Sequence, residues 1–341
     1  MSVRAGLDIV TGGAGFIGSH MVDRLLMMER RVRVIDNFSN GSRRNLAHLD
    51  GHPQLEVIEA DIADYLSVAG LFDGAERVFH FAALADIVPS IERPLEYFRS
   101  NVDGTFNALE QSVKSGVQRF LYAASSTCYG IPDQFPTPET ADIRPKYPYA
   151  LTKHLGEQLV MHWADVYKLP ALSLRMFNVY GPRARTSGTY GAVFGVFLAQ
   201  ILAKQPLTVV GDGTQTRDFT YVSDVVDAFL NAANSPAAGK IFNVGSGGTY
   251  SINRLVELLG VKQLTHIPKR PGEPDCTWAD TKKIERELDW RAQVSFEKGV
   301  AMMLSHIEHW RQAPVWTPDK IAEATKGWFK YLGNEQSAIP G

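Results

Sequence analysis

Three groups of residues in this chain have types and spacing suited to chemistry. Tyr149 and Lys153 stand four apart in Tyr149-Ala150-Leu151-Thr152-Lys153, so on a helix the phenol and the amine project from one face. A free tyrosine titrates near pH ~10 and is a poor base at neutral pH. A neighbouring ammonium, and the positive charge of an oxidised nicotinamide, favour the phenolate and lower that pKa. Upstream, Ser125-Ser126-Thr127 opens the hydroxyl-rich run Ser125–Gly130 directly after a strand-like segment. Loops at the C-terminal ends of parallel strands line the ligand crevice of an open α/β sheet. Ser125 can there hydrogen-bond a substrate oxygen and relay its proton to Tyr149. The third group is Thr11-Gly12-Gly13-Ala14-Gly15-Phe16-Ile17-Gly18. Gly13, Gly15 and Gly18 satisfy G-x-G-x-x-G, and Gly12, Gly15 and Gly18 satisfy G-x-x-G-x-x-G. Glycine lets a diphosphate approach the backbone, and a helix opening at Phe16 and Ile17 offers it free N–H groups and a positive dipole end. Asp36, at the end of the strand-like run Arg31–Asp36, can accept hydrogen bonds from adenosine ribose hydroxyls. Its charge repels a 2′-phosphate and so favours NAD over NADP; Arg43 and Arg44 nearby are the features that would suit the phosphorylated cofactor.

Those groups need a scaffold, and the rest of the chain supplies one. Short apolar runs at Leu7–Thr11, Arg31–Asp36, Leu55–Glu59, Val78–Phe81, Phe120–Ala123, Ala171–Arg175 and Lys240–Val244 read as strands. Amphipathic stretches fall among them: Phe16–Glu29, Tyr65–Phe72, Leu95–Lys114, Tyr147–Tyr167 and Val222–Ala233. This alternation predicts an α/β fold, a doubly wound parallel Rossmann sheet with a smaller, interleaved α/β substrate domain. The NAD-binding domain is expected over 1–178 plus about 219–245, and the substrate-binding domain over about 179–218 and 246–341. After Asn178, frequent Gly and Pro break the chain into short elements, with helices expected at Asp280–Leu288, Phe296–Gln312 and Pro318–Leu332. The uncharged run Thr186–Ala203 suits a buried helix and its lead-in loop better than a membrane span.

Composition excludes several classes of function. Of 341 residues, 45% are hydrophobic and 21% charged, enough apolar content for large cores. Lys plus Arg is 35 against 37 for Asp plus Glu, a net charge of −2, which lacks the basic footprint of a nucleic-acid binder. Two cysteines cannot build a disulfide scaffold, and no Cys/His spacing suggests a metal site; His306 and His309 lack a third ligand. The glycines after Arg4 explain a stretch that otherwise imitates a signal peptide, so a cytoplasmic setting is expected, with no membrane partner.

In the order of its motifs the chain resembles the extended short-chain dehydrogenase/reductases, specifically the nucleotide-sugar epimerase/dehydratase family. The resemblance runs from about Leu7 to Trp310. It rests on T-G-G-A-G-F-I-G, Asp36-Asn37, Asp61-Ile62, Phe79–Ala83, Asn101–Thr105, the hydroxyl loop, Y-A-L-T-K, Arg175–Arg183, Gly211–Asp224 and Arg270–Glu273. By resemblance, Asn37 joins Asp36 at the cofactor, Asp61 and Ile62 contact the adenine, and Ala82 and Ala83 line the cofactor crevice. Asn101 steadies a neighbouring loop, Phe177 packs near the nicotinamide, and Lys153 holds the nicotinamide ribose. On the substrate side Asn178 meets the sugar diphosphate, Arg217 and Arg270 clamp it, and Glu273 takes the nucleotide ribose. Arg183 and Arg185 read as surface ion pairs. The family also implies a homodimer packed through Leu95–Lys114 and Tyr147–Tyr167.

The family's shared chemistry is oxidation of a sugar at C4, and the fate of the 4-keto sugar distinguishes its members. Dehydratases carry an Asp-Glu pair at the positions of Ser126 and Thr127, and uronate decarboxylases a Glu at that of Thr127. Neutral hydroxyls cannot replace those carboxylates near neutral pH. The reading is therefore a UDP-sugar 4-epimerase, with UDP-glucose, UDP-N-acetylglucosamine and UDP-glucuronate as candidate substrates. Thr277 falls on a position where a bulky residue restricts the pocket of galactose epimerases, and its small size would admit an N-acetyl group. Ser126, Thr127 and the loop Arg183–Thr189 could bind a uronate carboxylate. The alternatives are a 4,6-dehydratase, decarboxylase or 4-keto-reductase on the same scaffold, or an NAD-binding protein without turnover.

Overall fold

Strand-helix alternation produces a seven-stranded parallel sheet, described here from a computed structural model covering residues 6–185 and 192–333. The strands are β1 (Leu7–Thr11), β2 (Arg31–Asp36), β3 (Leu55–Glu59), β4 (Ala75–His80), β5 (Arg119–Ser125), β6 (Ala171–Met176) and β7 (Lys240–Val244). Their spatial order is β7-β6-β5-β4-β1-β2-β3. The chain runs outward from β1 to β3, then returns to the other side of β1 and continues through β4 to β7. The direction of winding reverses between β1 and β4, the place where open α/β sheets bind ligands beyond their strand ends. Register aligns those ends: Thr11 pairs with Ile35 and His80, and Ser125 with Met176.

β1 is buried along its whole length, and β4 and β5 nearly so, as expected of strands covered on both faces. One apolar layer joins the sheet to helix α1 (Phe16–Met27) and to the helix Val222–Asn234. The other joins it to the helices Gly104–Lys114 and Pro148–Val166. A separate cluster is built from the helices Val193–Leu202, Ile252–Leu259 and Phe296–Ser305 with a parallel strand pair, Leu207–Val210 and Leu264–Ile267. Its centre is aromatic: Tyr180 stacks on Phe194 at 4.5 Å and Phe219 on Phe296 at 5.1 Å. Ile17 and Val179 pack against both this cluster and the α1 face of the sheet, so the crevice between them has a continuous floor.

Some expected helices differ. Residues Tyr65–Phe72 form successive turns instead. The Asp61 and Asp64 carboxylates accept the N–H groups of Ala63 and Leu66, and Gly70 and Gly74 adopt positive φ. The backbone bonds close i→i+3 turns, Ala69 N–H to the Leu66 carbonyl and Leu71 N–H to that of Val68, and the left-handed Gly70 interrupts a helical ladder. Leu95–Lys114 is helical throughout but contains a wider π segment at Arg99–Asp103. Phe296–Gln312 is α-helical only to Ser305 and then tightens to a 3-10 turn at Ile307–Trp310. Pro318–Leu332 breaks at Thr325, leaving Pro318–Ala324 and Lys326–Leu332.

Candidate active site

The C-terminal ends of β1, β4, β5 and β6 open into a crevice of about 640 Å³ that reaches the aromatic cluster. At one end lies the glycine turn. Gly12 has φ +69°, and a Cβ there would stand 2.7 Å from the Ala82 backbone nitrogen. A Cβ on Gly18 would stand 2.2 Å from the Gly12 carbonyl oxygen. Any side chain at either place would push the turn away from β4 or α1. Gly12, Gly15, Phe16, Ile17 and Gly18 all line the crevice, so the free N–H groups of the first α1 turn face it. Asp36 is 7% exposed, and its two carboxylate oxygens accept the N–H groups of Ala14 (2.9 Å) and Phe38 (2.8 Å). Burial raises its pKa and these two bonds oppose the rise. Each oxygen keeps acceptor capacity toward the crevice, and Asn37, Ile62, Ala82 and Ala83 line the same end. The residues present therefore fit a dinucleotide whose adenosine lies against Asp36.

Two residues of the expected cofactor set lie off the crevice wall. Asp61 is exposed and turns its carboxylate to Ala63 N–H. Asn101 is fully buried behind the wall, where its amide bonds both backbone groups of Leu84 (2.8 and 3.0 Å) and the Thr152 hydroxyl (3.0 Å). It thus ties the loop after β4 to the helix bearing Lys153. Arg43 lies over the Phe38 ring at 4.1 Å and pairs with Glu59.

The catalytic candidates converge where β5 meets the helix Pro148–Val166. Ser125, Ser126, Thr127, Tyr149 and Lys153 all line the crevice. The Ser125 hydroxyl is hydrogen-bonded to Thr127 Oγ1 at 2.9 Å and stands beside the Tyr149 phenol, whose pKa it lowers. Enclosure by the crevice walls raises the Tyr149 pKa, and the neighbouring Ser125 hydroxyl opposes the rise. Lys153, 4% exposed, is pushed down to about 7 by burial, with the Glu157 carboxylate opposing. Removing water penalises the charged form of each group, so both shift toward neutrality.

At the other end the crevice is lined by Asn178, Arg217, Arg270 and Glu273. Glu273 pairs with Arg217 at 2.8 Å and approaches Arg270 at 3.6 Å. Two guanidinium groups thus share one carboxylate, leaving a net positive wall suited to a diphosphate. Phe177 is 2% exposed and sits between the two ends of the crevice. Asn178 accepts the Thr277 hydroxyl at 2.7 Å, so the small residue at 277 is engaged with a crevice side chain. Arg183 pairs with Asp23 at 2.7 Å. Arg185 pairs with Asp86, and both line the crevice, so this ion pair belongs to the site rather than to the outer surface. The uronate-binding expectation for Thr186, Ser187, Gly188 and Thr189 lies outside the described residues.

Several contributors escaped the sequence reading. Tyr122 holds Lys153 from below: its ring lies 4.3 Å from Nζ and its hydroxyl donates to the Lys153 carbonyl at 3.0 Å. Glu157, one turn beyond Lys153 on the same helical face, is anchored by Arg175 and Ser173. The spacing Tyr149, Lys153, Glu157 could have revealed it. Trp328, from the C-terminal tail, also lines the crevice, and no sequence signal marked it. Among the described residues, no group of three or more His, Cys, Asp or Glu side chains could hold a metal ion. None of their helices is long and apolar enough to cross a membrane.

The comparisons agree with this geometry. Residues 9–245 match the model of the NAD dependent epimerase/dehydratase family. A putative UDP-glucose 4-epimerase of Methanocaldococcus jannaschii is 34% identical over 308 residues, 88% of this chain and 98% of the relative. UDP-glucuronic acid decarboxylase 1 of Arabidopsis thaliana is 33% identical over 309 residues, 87% of this chain and 68% of the relative. Among solved structures, the UDP-glucuronic acid 4-epimerase of Bacillus cereus, in complex with UDP-glucuronic acid and NAD, superposes with a TM-score of 0.82 at 30% identity. That match covers 89% of this chain and 99% of the other.

Proposed function

This chain belongs to the NAD dependent epimerase/dehydratase family, and we propose that within it the chain acts as a UDP-sugar 4-epimerase. NAD is its cofactor. The observation that carries the reading is the absence of a free carboxylate among the described residues around Tyr149. The loop offers hydroxyls at Ser125, Ser126 and Thr127, and each acid lining the crevice is engaged. Asp36 is held by backbone N–H groups, Asp86 by Arg185 and Glu273 by Arg217. Dehydration and decarboxylation need an acid or base beyond Tyr149; inversion at C4 does not.

When bound, NAD supplies hydride exchange with the sugar. The remaining work falls to the chain. Ser125 holds the 4-oxygen, and Tyr149 removes its proton and later returns it. Lys153 holds the nicotinamide ribose and, when protonated, favours the phenolate. Arg217 and Arg270 grip the diphosphate while the sugar turns over to present its other face. Because hydride is borrowed and returned, the cofactor stays bound through many turnovers. Candidate sugars are those of UDP-glucose, UDP-N-acetylglucosamine and UDP-glucuronate, with Arg185, which lines the crevice, as the candidate cation for a uronate.

The protein acts as a homodimer in this reading. Leu95, Phe98 and Phe106 on one long helical segment and Leu151 and Val166 on the other are exposed apolar side chains. Two such helices from each subunit would cover them. Cys128 and Cys276 are free thiols, as suits a reducing cytoplasm. Incubating the protein with each of the three UDP-sugars and resolving the products by NMR tests the activity. A C4 epimer from at least one is expected; loss of water or carbon dioxide, or no product from any, overturns it. Light scattering on the eluted protein should report two subunits, and one subunit for the Leu95→Glu, Leu151→Glu double variant.

A further inference from the structure

The family match ends at residue 245, yet the chain past Pro314 returns to the crevice. It is fastened at two points. The buried Gln200 side chain donates to the Trp316 carbonyl at 2.7 Å. The Trp328 indole N–H donates to the Pro271 carbonyl at 2.7 Å. Between them, Thr317 caps the helix Pro318–Ala324 and Ile321 is buried. The following helix, Lys326–Leu332, lies against the helix Ile87–Glu92. Trp328 is 3% exposed, its ring 5.6 Å from the Arg270 guanidinium carbon and 6.2 Å from the Tyr147 ring.

Pro271 stands between Arg270 and Glu273 on a segment that belongs to no helix or strand. Such a segment has no ladder of backbone bonds to set its position. Trp328 grips it twice, through the Pro271 carbonyl and through the face of the Arg270 guanidinium. We infer that the tail helices Pro318–Leu332 are a wall of the sugar-nucleotide site, in which Trp328 is a positioning residue that aims Arg270 at the substrate diphosphate. This rests on the reading of Arg217 and Arg270 as the diphosphate clamp. The tail therefore acts on substrate affinity, and the cofactor end, anchored on β1 and β2, does not depend on it.

The test uses the full-length, NAD-loaded protein titrated with UDP by calorimetry, beside its NAD content and melting temperature. Trp328→Ala should bind UDP about tenfold more weakly or worse, since it loses both the stacked ring and the N–H donor. Trp328→Phe, which keeps a ring but no donor, should fall between that variant and the parent. In turnover, KM should rise while kcat and NAD content hold. UDP affinity in Trp328→Ala equal to that of the parent overturns the inference. If that variant fails to retain NAD or to fold, Trp328→Phe decides, and parental affinity there overturns it equally. A parent protein that holds NAD but binds no UDP overturns the diphosphate reading itself, a different and recognisable result.

Discussion

At the end of the crevice that fits the cofactor, the glycine turn and Asp36 come from one stretch, Gly12 to Asp36, around three consecutive elements, β1, α1 and β2, and Ile62, Ala82 and Ala83 complete the wall. At the substrate end, Arg217, Arg270, Glu273 and Trp328 come from segments far apart in the chain. The first end is held by parallel backbone ladders and by backbone that approaches too closely for any side chain. The second is held by side chains gripping loops: Arg217 on Glu273, Thr277 on Asn178, Trp328 on Pro271. A site built on backbone tolerates little change and recognises one ligand, whereas a site built on side chains can be retuned by substitution. Relatives with different reactions and sugars share this scaffold, which is what that division allows.

Substitutions can break this division or sharpen it. Tyr149→Phe removes the phenol proposed to transfer the proton and should cost roughly 10²–10⁴-fold in turnover, while NAD content measured after denaturation stays at the parental level. Loss of NAD together with activity would show that the boundary lies elsewhere. Gly18→Ala should weaken NAD binding by about 5–150-fold, the equivalent of the ~1–3 kcal/mol that an overpacked contact costs. UDP affinity of the reloaded protein should change much less. Arg217→Ala should do the reverse: KM for the UDP-sugar rises about tenfold or more, from the loss of a charge-assisted bond, with NAD binding preserved. The smallest effect on turnover is expected from Glu157→Gln, behind the wall. Burial raises the Glu157 pKa, but bonds from His154, Arg175 and Ser173 outweigh it and hold the carboxyl down at about 2. A carboxyl depressed in the folded state stabilises it above the ordinary value of about 4.5, and that contribution fades as pH falls toward 2. The melting-temperature gap between parent and Glu157→Gln should therefore be full at pH 6 and shrink between pH 4.5 and 2; a gap independent of pH would show that the carboxylate charge contributes nothing.

Local pattern was legible where a single element carries it. The bounds of β1, β2, β3 and β7 follow from short apolar runs, and the glycine turn and Tyr149–Lys153 pair follow from spacing within one turn or helix. The helix expected at Tyr65–Phe72 failed because apolar spacing does not register Gly70, whose positive φ leaves the segment to close as successive i→i+3 turns. Residue type also does not register enclosure: burial raises the Tyr149 phenol and draws Lys153 down, and the charge of an oxidised nicotinamide would act against the rise at Tyr149.

By itself, the sequence determined the sheet, its glycine turn, the acid at the end of β2 and the phenol-amine pair. Each depends on neighbours within a few tens of residues, and their periodicity and spacing are written along the chain. Tertiary structure alone decided that Arg185 pairs with Asp86 inside the crevice, that Asn101 works from behind its wall, and that Trp328 lines the crevice beside Arg270. Those outcomes depend on which distant segments meet when the apolar faces are buried, and pairwise contact across such distances leaves no periodic trace in one sequence.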